Sequence, residues 1–283
     1  MIRMKNIRFH YGKKPLFANM DLDIPKGNIY GLLGMNGAGK TTLLKLMSGQ
    51  LFPLEGTSSV LGYDPVKRNP DMLADLFHLP EEFLLPRMRA EEYLAINAPF
   101  YPKFDHAALH RYCMDFDLDL TQKLNELSFG QKKKFLLSFG LASNTGLLIL
   151  DEPTNGLDIP SKSQFRRTVA SAMTEDRTFI ISTHQVRDME NLIDPIIIVH
   201  SGKVVFNSDL ATIADKLSMQ LERTEPDTTK CIFTEKVPGG WMTVKERQTD
   251  EEETSIDLET LFNAVVSNPE PFAFSLQQQG GRA

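Results

Sequence analysis

The chain has 283 residues, 41% hydrophobic and 24% charged, a balance that suits one large or two small globular domains. No apolar run approaches the roughly 20 residues a membrane-spanning helix needs, and the opening Met-Ile-Arg-Met-Lys-Asn lacks the apolar core of a secretory signal. The net charge of −6 is uneven: residues 1–204 carry 24 Lys/Arg against 23 Asp/Glu, and residues 205–283 carry 7 against 14, which marks a change of module and argues against nucleic-acid binding by the C-terminal part.

Residues 2–9 and 16–24 alternate in part across a turn-rich 11–15 and predict two antiparallel strands. Residues 28–33 form a short apolar strand ending at a glycine, and a helix is expected from about 39 to 50, stopped before Pro53. Residues 81–126 read as helical, with Pro86, Pro99 and Pro102 as breaks. Then come helix 128–142, strand 147–151, helix 160–173, strand 179–182, helix 185–193 and strand 196–199. Strands alternating with helices predict an α/β fold around a mostly parallel sheet covered on both faces. Ser201-Gly202 reads as a tight turn. Beyond it, residues 217–247 suggest three short strands and 256–267 a helix, a small α+β module. Residues 250–253 read as a solvated acidic loop and 277–283 as a disordered polar tail. Cys113 and Cys231 lie far apart without metal-binding spacing and read as buried or incidental thiols of a reducing compartment.

The chemistry concentrates in a few stretches. Gly34-Met-Asn-Gly-Ala-Gly-Lys-Thr-Thr42 fits G-x-x-x-x-G-K-[ST] between a strand and a helix, the context that a phosphate-binding loop requires. Gly34, Gly37 and Gly39 let the backbone curl around a polyphosphate, Lys40 reaches its outer phosphates, and Thr41 offers a hydroxyl to Mg²⁺. In Leu147-Leu-Ile-Leu-Asp-Glu152 an apolar strand delivers Asp151 to the sheet edge where α/β proteins bind ligands. Asp151 suits the magnesium shell, and Glu152 suits a general base that activates water for attack on the γ-phosphate. His184 closes the strand ending Ser182-Thr183 and can donate to the γ-phosphate. Leu127-Ser-Phe-Gly-Gln131 opens a helix, a place where free backbone N–H groups favour an anion. The run of lysines at 132–134 reads as a solvated helix face.

Taken in that order and spacing, residues 34–42, 127–131, 147–158 and 184 resemble the ATP-binding subunit of an ATP-binding-cassette (ABC) transporter, over about residues 2–215. The resemblance implies a P-loop cassette with an N-terminal antiparallel β-subdomain, a helical subdomain at about 81–142, and an accessory module at 216–283. It implies ATP and Mg²⁺ as cofactors. Asn36, Gly37, Ala38, Gly39, Lys40, Thr41 and Thr42 would hold the phosphates, and Tyr11 would stack on adenine. Ser128, Gly130 and Gln131 would contact the nucleotide of a second subunit, with Asp158 in the loop by which the two subunits sense each other. Glu81 stands where the family usually has a glutamine that serves the metal. Phe129 replaces the first glycine of the signature Leu-Ser-Gly-Gly-Gln, adding bulk at the expected dimer surface. Residues 87–100, with Leu94, Ile96 and Phe100, match the region that grips a permease. Residues 255–262 are similar to the C-terminal motif of ABC-2-type bacterial exporters. The expected protein is a peripheral ATPase on the cytoplasmic face of the cell membrane, working as a homodimer with a separate permease and without nucleic acid. A cassette ATPase acting on ribosomes or DNA is the alternative.

Overall fold

The protein is described by a computed structural model over residues 1–248 and 253–277. Strands β1 (Ile2–Tyr11), β2 (Lys14–Ile24) and β3 (Ile29–Leu33) precede helix α1 (Lys40–Met47). Strand β4 (Glu55–Val60), helix α2 (Pro70–Ala74) and strand β5 (Leu76–Leu79) lead to helices α3 (Ala90–Asn97), α4 (His106–Asp115) and α5 (Phe129–Ala142). Next come β6 (Leu147–Asp151), α6 (Ile159–Ser171), β7 (Thr178–Thr183), β8 (Ile196–His200) and β9 (Lys203–Ser208). Helix α7 (Leu210–Lys216), strands β10 (Leu217–Glu222), β11 (Phe233–Val237) and β12 (Gly240–Glu246), and helices α8 (Leu258–Ser267) and α9 (Phe274–Gln277) follow.

The central sheet has six strands in the order β5-β6-β7-β3-β8-β9. The first five run parallel, and β9 returns antiparallel to β8. Every residue of β3, β6 and β7 is buried, as expected for strands covered on both faces. Side chains alternate between two cores. Leu148, Leu150, Phe179 and Ile181 face the core shared with α4, α5 and α6, whereas Leu147, Ile149 and Ile180 face the core shared with α1 and the N-terminal strands. Strands β2-β1-β4 form an antiparallel sheet whose inward residues Ile2, Met4, Ile7 and Phe9 alternate with exposed ones. A second antiparallel sheet, β10-β12-β11, lies in the C-terminal part with α8. Because β3, β6 and β7 run in parallel, their C-terminal ends gather Gly34, Asp151 and Thr183 at one edge.

Two predicted helices are corrected. The 81–126 stretch is helical only at α3, the 3₁₀ turn Ala98–Phe100 that follows it, and α4. Its other parts are loops and turns, with Asp117 in the left-handed region and an Asp119 side-chain turn accepting from Thr121 N–H (2.9 Å). The expected helix at 185–193 shrinks to one 3₁₀ turn, Val186–Met189, since Glu190 leaves the helical region and Asn191 takes a positive φ. Strands β4, β5 and β9 escape the sequence reading. The three strands and one helix expected beyond residue 216 are present. Residues 249–252 and 278–283, most of the expected acidic loop and tail, lie outside the described residues. Cys113 is buried, but Cys231 is only partly so.

Candidate functional site

The P-loop folds tightly around its lysine. A side chain at Gly34 would put its Cβ 2.7 Å from the Val199 carbonyl oxygen, and one at Gly39, whose φ is +109°, would meet the Phe17 ring at 2.8 Å. Only glycine fits either place. Gly39 is also the N-cap of α1 and offers no capping side chain, so first-turn N–H groups are left for a ligand. Lys40 is buried and donates from Nζ to the Gly34 carbonyl at 2.8 Å. Gly39 and Lys40 help wall a cavity of about 680 Å³. Tyr11, Asn36, Gly37, Gly39, Lys40, Thr41, Thr42, Glu81, Glu152 and His184 all line it, together with Asn155 and Met35. Gly34, Ala38 and Asp151 do not line it: Ala38 is buried against Gly34, and Asp151 is wholly buried.

The two carboxylates at the end of β6 take different partners. Asp151 accepts a hydrogen bond from the Ser182 hydroxyl of the neighbouring β7, and its second oxygen, Oδ2, is buried with no hydrogen-bond partner. Glu152 sits at φ +46°, in the left-handed region. Its N–H donates to the Ser182 hydroxyl (3.0 Å) and carbonyl (3.2 Å). Its Oε1 lies 2.8 Å from His184 Nδ1 and 3.4 Å from Lys40 Nζ, while Oε2 is buried and unpartnered. Two adjacent buried carboxylates with one free oxygen each are costly unless a cation or water completes them. Asp151 Oδ2 and the Thr41 hydroxyl are hard oxygen donors of the kind Mg²⁺ takes alongside phosphate oxygens.

Ser128, Gly130 and Gln131 do not line this cavity. Ser128 is the N-cap of α5, and its hydroxyl accepts from Gln131 N–H (3.2 Å) while Gln131 Oε1 accepts from Ser128 N–H (2.9 Å), a reciprocal capping box. Ser128 itself faces solvent. Phe129 stacks one face on Phe83 (5.4 Å between centroids) and packs against Gly156, leaving its ring half exposed. Tyr11 is also half exposed, its hydroxyl 3.2 Å from Thr42 Oγ1. Asp158 caps α6, accepting from Ser161 N–H at 2.9 Å. The Ser161 hydroxyl, and after it this backbone bond, holds the Asp158 carboxyl below its ordinary range. Glu81 Oε1 accepts from Asn155 Nδ2 (3.0 Å).

The lysine run is not uniformly solvated, which corrects the sequence reading. Lys133 is 1% exposed and donates to the carbonyls of Glu152 (2.9 Å) and Asn155 (3.0 Å). Burial lowers its pKa, and the nearby carboxylates of Glu81, Glu152 and Asp151 oppose that shift. Sequence reasoning missed Lys133 and Asn155. The signal for Lys133 was present: it shares the buried stripe of α5 with Leu136, Leu137 and Gly140, at helical spacing.

A glycine-wrapped lysine, a buried Asp–Glu pair and a histidine converging at one sheet edge define the class: a P-loop ATPase cassette. Residues 17–155 match the family described as ABC transporter. The chain is 32% identical to the ABC transporter ATP-binding protein NatA of Bacillus subtilis, over 73% of this chain and 87% of that one. It is 31% identical to the bacitracin transport ATP-binding protein BcrA of Bacillus licheniformis, over 72% of this chain and 68% of that one. The Nod factor export ATP-binding protein I of Burkholderia lata is 28% identical over 99% of this chain and 90% of its own. Among solved structures, the fold matches an ATP-binding subunit of an ABC transporter (TM-score 0.68, 24% identity, 75% of this chain and 91% of that one). It also matches a dimeric post-hydrolysis cassette, MJ0796, bound to ADP and Pi (TM-score 0.64, 22% identity, 74% and 99%). The chain belongs to the ABC transporter family, as an ATP-binding and ATP-hydrolysing subunit. Such subunits work with a second cassette and a membrane permease. Among the described residues no helix is long and apolar enough to cross a membrane.

Proposed function

We propose that this chain powers export through a separate permease, as one half of a homodimer on the cytoplasmic face of the membrane. Two relatives bear names of bacitracin transport and Nod factor export, and the second favours outward traffic. Each ATP would lie between the P-loop of one copy and Ser128, Gly130 and Gln131 of the other. Lys40 and the P-loop amides would hold the phosphates, Tyr11 would stack on the base, and Glu152 would take a proton from the attacking water. His184 would orient that water and the γ-phosphate. Thr41 and Asp151, with Glu81 close by, would hold Mg²⁺, which when bound neutralises phosphate charge. The two copies would separate again after hydrolysis.

One observation carries this reading: the Glu152 carboxylate is held between His184 and Lys40 at the wall of the nucleotide cavity. A base anchored in this way typically contributes about 10²–10⁴ in rate. Glu152→Gln keeps the size and loses the basicity. Its ATP affinity and ATP-dependent pairing should persist while phosphate release slows at least ~10²-fold. Wild-type phosphate release in this variant would remove Glu152 from the role.

A further inference from the structure

The turn that follows β6 is held in an unfavourable backbone state. Glu152 has φ +46° and Gly156 φ +80°, and the turn is closed by Asn155 N–H on the Glu152 carbonyl (3.2 Å). A non-glycine residue in the left-handed region persists only where its surroundings over-determine it. Here the N–H side of Glu152 is fixed by Ser182 from β7. The carbonyl side is fixed from a different element, by the Lys133 ammonium of α5. That ammonium bridges the Glu152 and Asn155 carbonyls, the two ends of the turn. It lies 5.1 Å from the centroid of Phe129, whose ring packs on Gly156 and on Phe83.

We infer that Lys133 is a positioning residue for Glu152: its bridge across the 152–155 turn sets where the Glu152 carboxylate stands. This rests on the reading of Glu152 as the base. The arrangement has a second consequence. Ser128 is the N-cap of the same helix, little more than one turn from Lys133. A shift of the α5 N-terminus, when it meets the partner's nucleotide, therefore reaches Glu152 through one side chain. The same bridge answers the departure at Glu81. Asn155 gives its carbonyl to Lys133 and its amide to Glu81, so the extra carboxylate is tied to a cation through one intervening residue. Glutamine at 81 would need no such partner.

The test uses the full chain and three variants. Lys133→Met keeps volume and removes charge and donors, whereas Lys133→Arg keeps both. Misplacing a reacting group by about 1 Å can cost about 10²-fold. Lys133→Met should therefore lower kcat for ATP at least ~10-fold with KM within ~3-fold, and Lys133→Arg should recover most of the loss. Hydrogen exchange at the Asn155 amide reads the pinning without any turnover. It should quicken at least ~10-fold in Lys133→Met and stay near wild type in Lys133→Arg. Unchanged kcat and exchange in Lys133→Met would overturn the inference. So would a loss expressed equally in kcat and in KM for a variant whose exchange is unchanged. Glu152→Gln, measured in parallel, separates the two readings. If it turned over normally the base assignment would fall, and the exchange result would still decide whether Lys133 holds the turn. Should Lys133→Met fail to fold, Lys133→Gln, which keeps one donor, takes its place in both measurements.

Discussion

His78 on β5 shows how a single side chain outside the nucleotide cavity carries a pH signature. Its Nδ1 lies 2.7 Å from Gln50 Nε2 and 3.5 Å from Ser48 Oγ, and its Nε2 is buried without a partner. Gln50 is the donor in that pair, which places the ring proton on Nε2. Burial pushes the imidazole down to about 4; Asp151 partly opposes this and Lys45 adds to it. A group with a depressed folded pKa is protonated first in the unfolded chain. Above pH ~6.5 neither state holds the proton and the group adds nothing to the pH dependence. As pH falls from there towards 4, stability is lost at up to about 1.4 kcal/mol per pH unit. Urea unfolding of wild type and His78→Gln across this window should therefore give curves that run together near neutrality, with the wild type falling more steeply in acid. Parallel curves throughout would refute the buried neutral imidazole. Nothing in Leu-Phe-His-Leu reveals this by itself, because Gln50 comes from a distant stretch of chain. The P-loop and Asp151-Glu152 are legible for the opposite reason: their spacing along one strand–turn–helix unit is itself the geometry. Lys133 falls between these cases, visible in the stripe of α5 but masked by two neighbouring lysines.

Elements were legible in proportion to how local their causes are. Strands β3, β6 and β7 read as unbroken apolar runs, and α5 starts at a Ser–Gln capping box, so each was found to within a residue or two. Strands β4 and β5 did not stand out, because Glu-Gly-Thr-Ser-Ser-Val gains its strand only by pairing with β1, and Leu-Phe-His-Leu only by pairing with β6. Between β5 and α5 the helical period was overstated, since Pro86 and the Asp119 turn leave long loops there. What fastens the loop after β5 to α5 is the Phe83–Phe129 stack, whose planes lie 14° apart. An offset aromatic pair adds about 0.5–1.5 kcal/mol beyond its area. Restoring the family's glycine with Phe129→Gly should therefore cost about 1–2 kcal/mol of unfolding free energy. Phe129→Leu should cost visibly less, and guanidinium titration of the three chains checks the order. Equal stability of all three would mean that the ring rests on Phe83 without binding the elements together.

At the scale of the whole molecule, charge and composition place a boundary near residue 205, whereas the core does not stop there. Phe206 of β9 is fully buried, with Phe272 and Phe274 each 6.3 Å from it, ring centroid to ring centroid. Leu258, Leu261 and Val265 of α8 are buried in the same cluster as Ile193, Ile196 and Ile198. Helix α8 also packs on the 3₁₀ turn directly after His184, where Glu259 pairs with Arg187. Cutting the chain after residue 215 would expose the outer side of β9, an edge strand with unpaired backbone groups and an apolar face, a known route to aggregation. We expect the 1–215 fragment to be insoluble, or to unfold more than ~10 °C below the full chain, since each lost kcal/mol moves the midpoint by a few degrees in a protein of this size. The full-length variant Phe272→Ala isolates the packing from the truncation. Emptying a site of that size typically costs about 3–5 kcal/mol. If the fragment melted with the full chain and Phe272→Ala were silent, the C-terminal module would be an appendage. If both fall as expected, the module is part of the wall that fixes the segment following His184. Removing it should then lower ATP turnover even in the fraction that remains folded, which a phosphate-release assay on the soluble fragment measures directly.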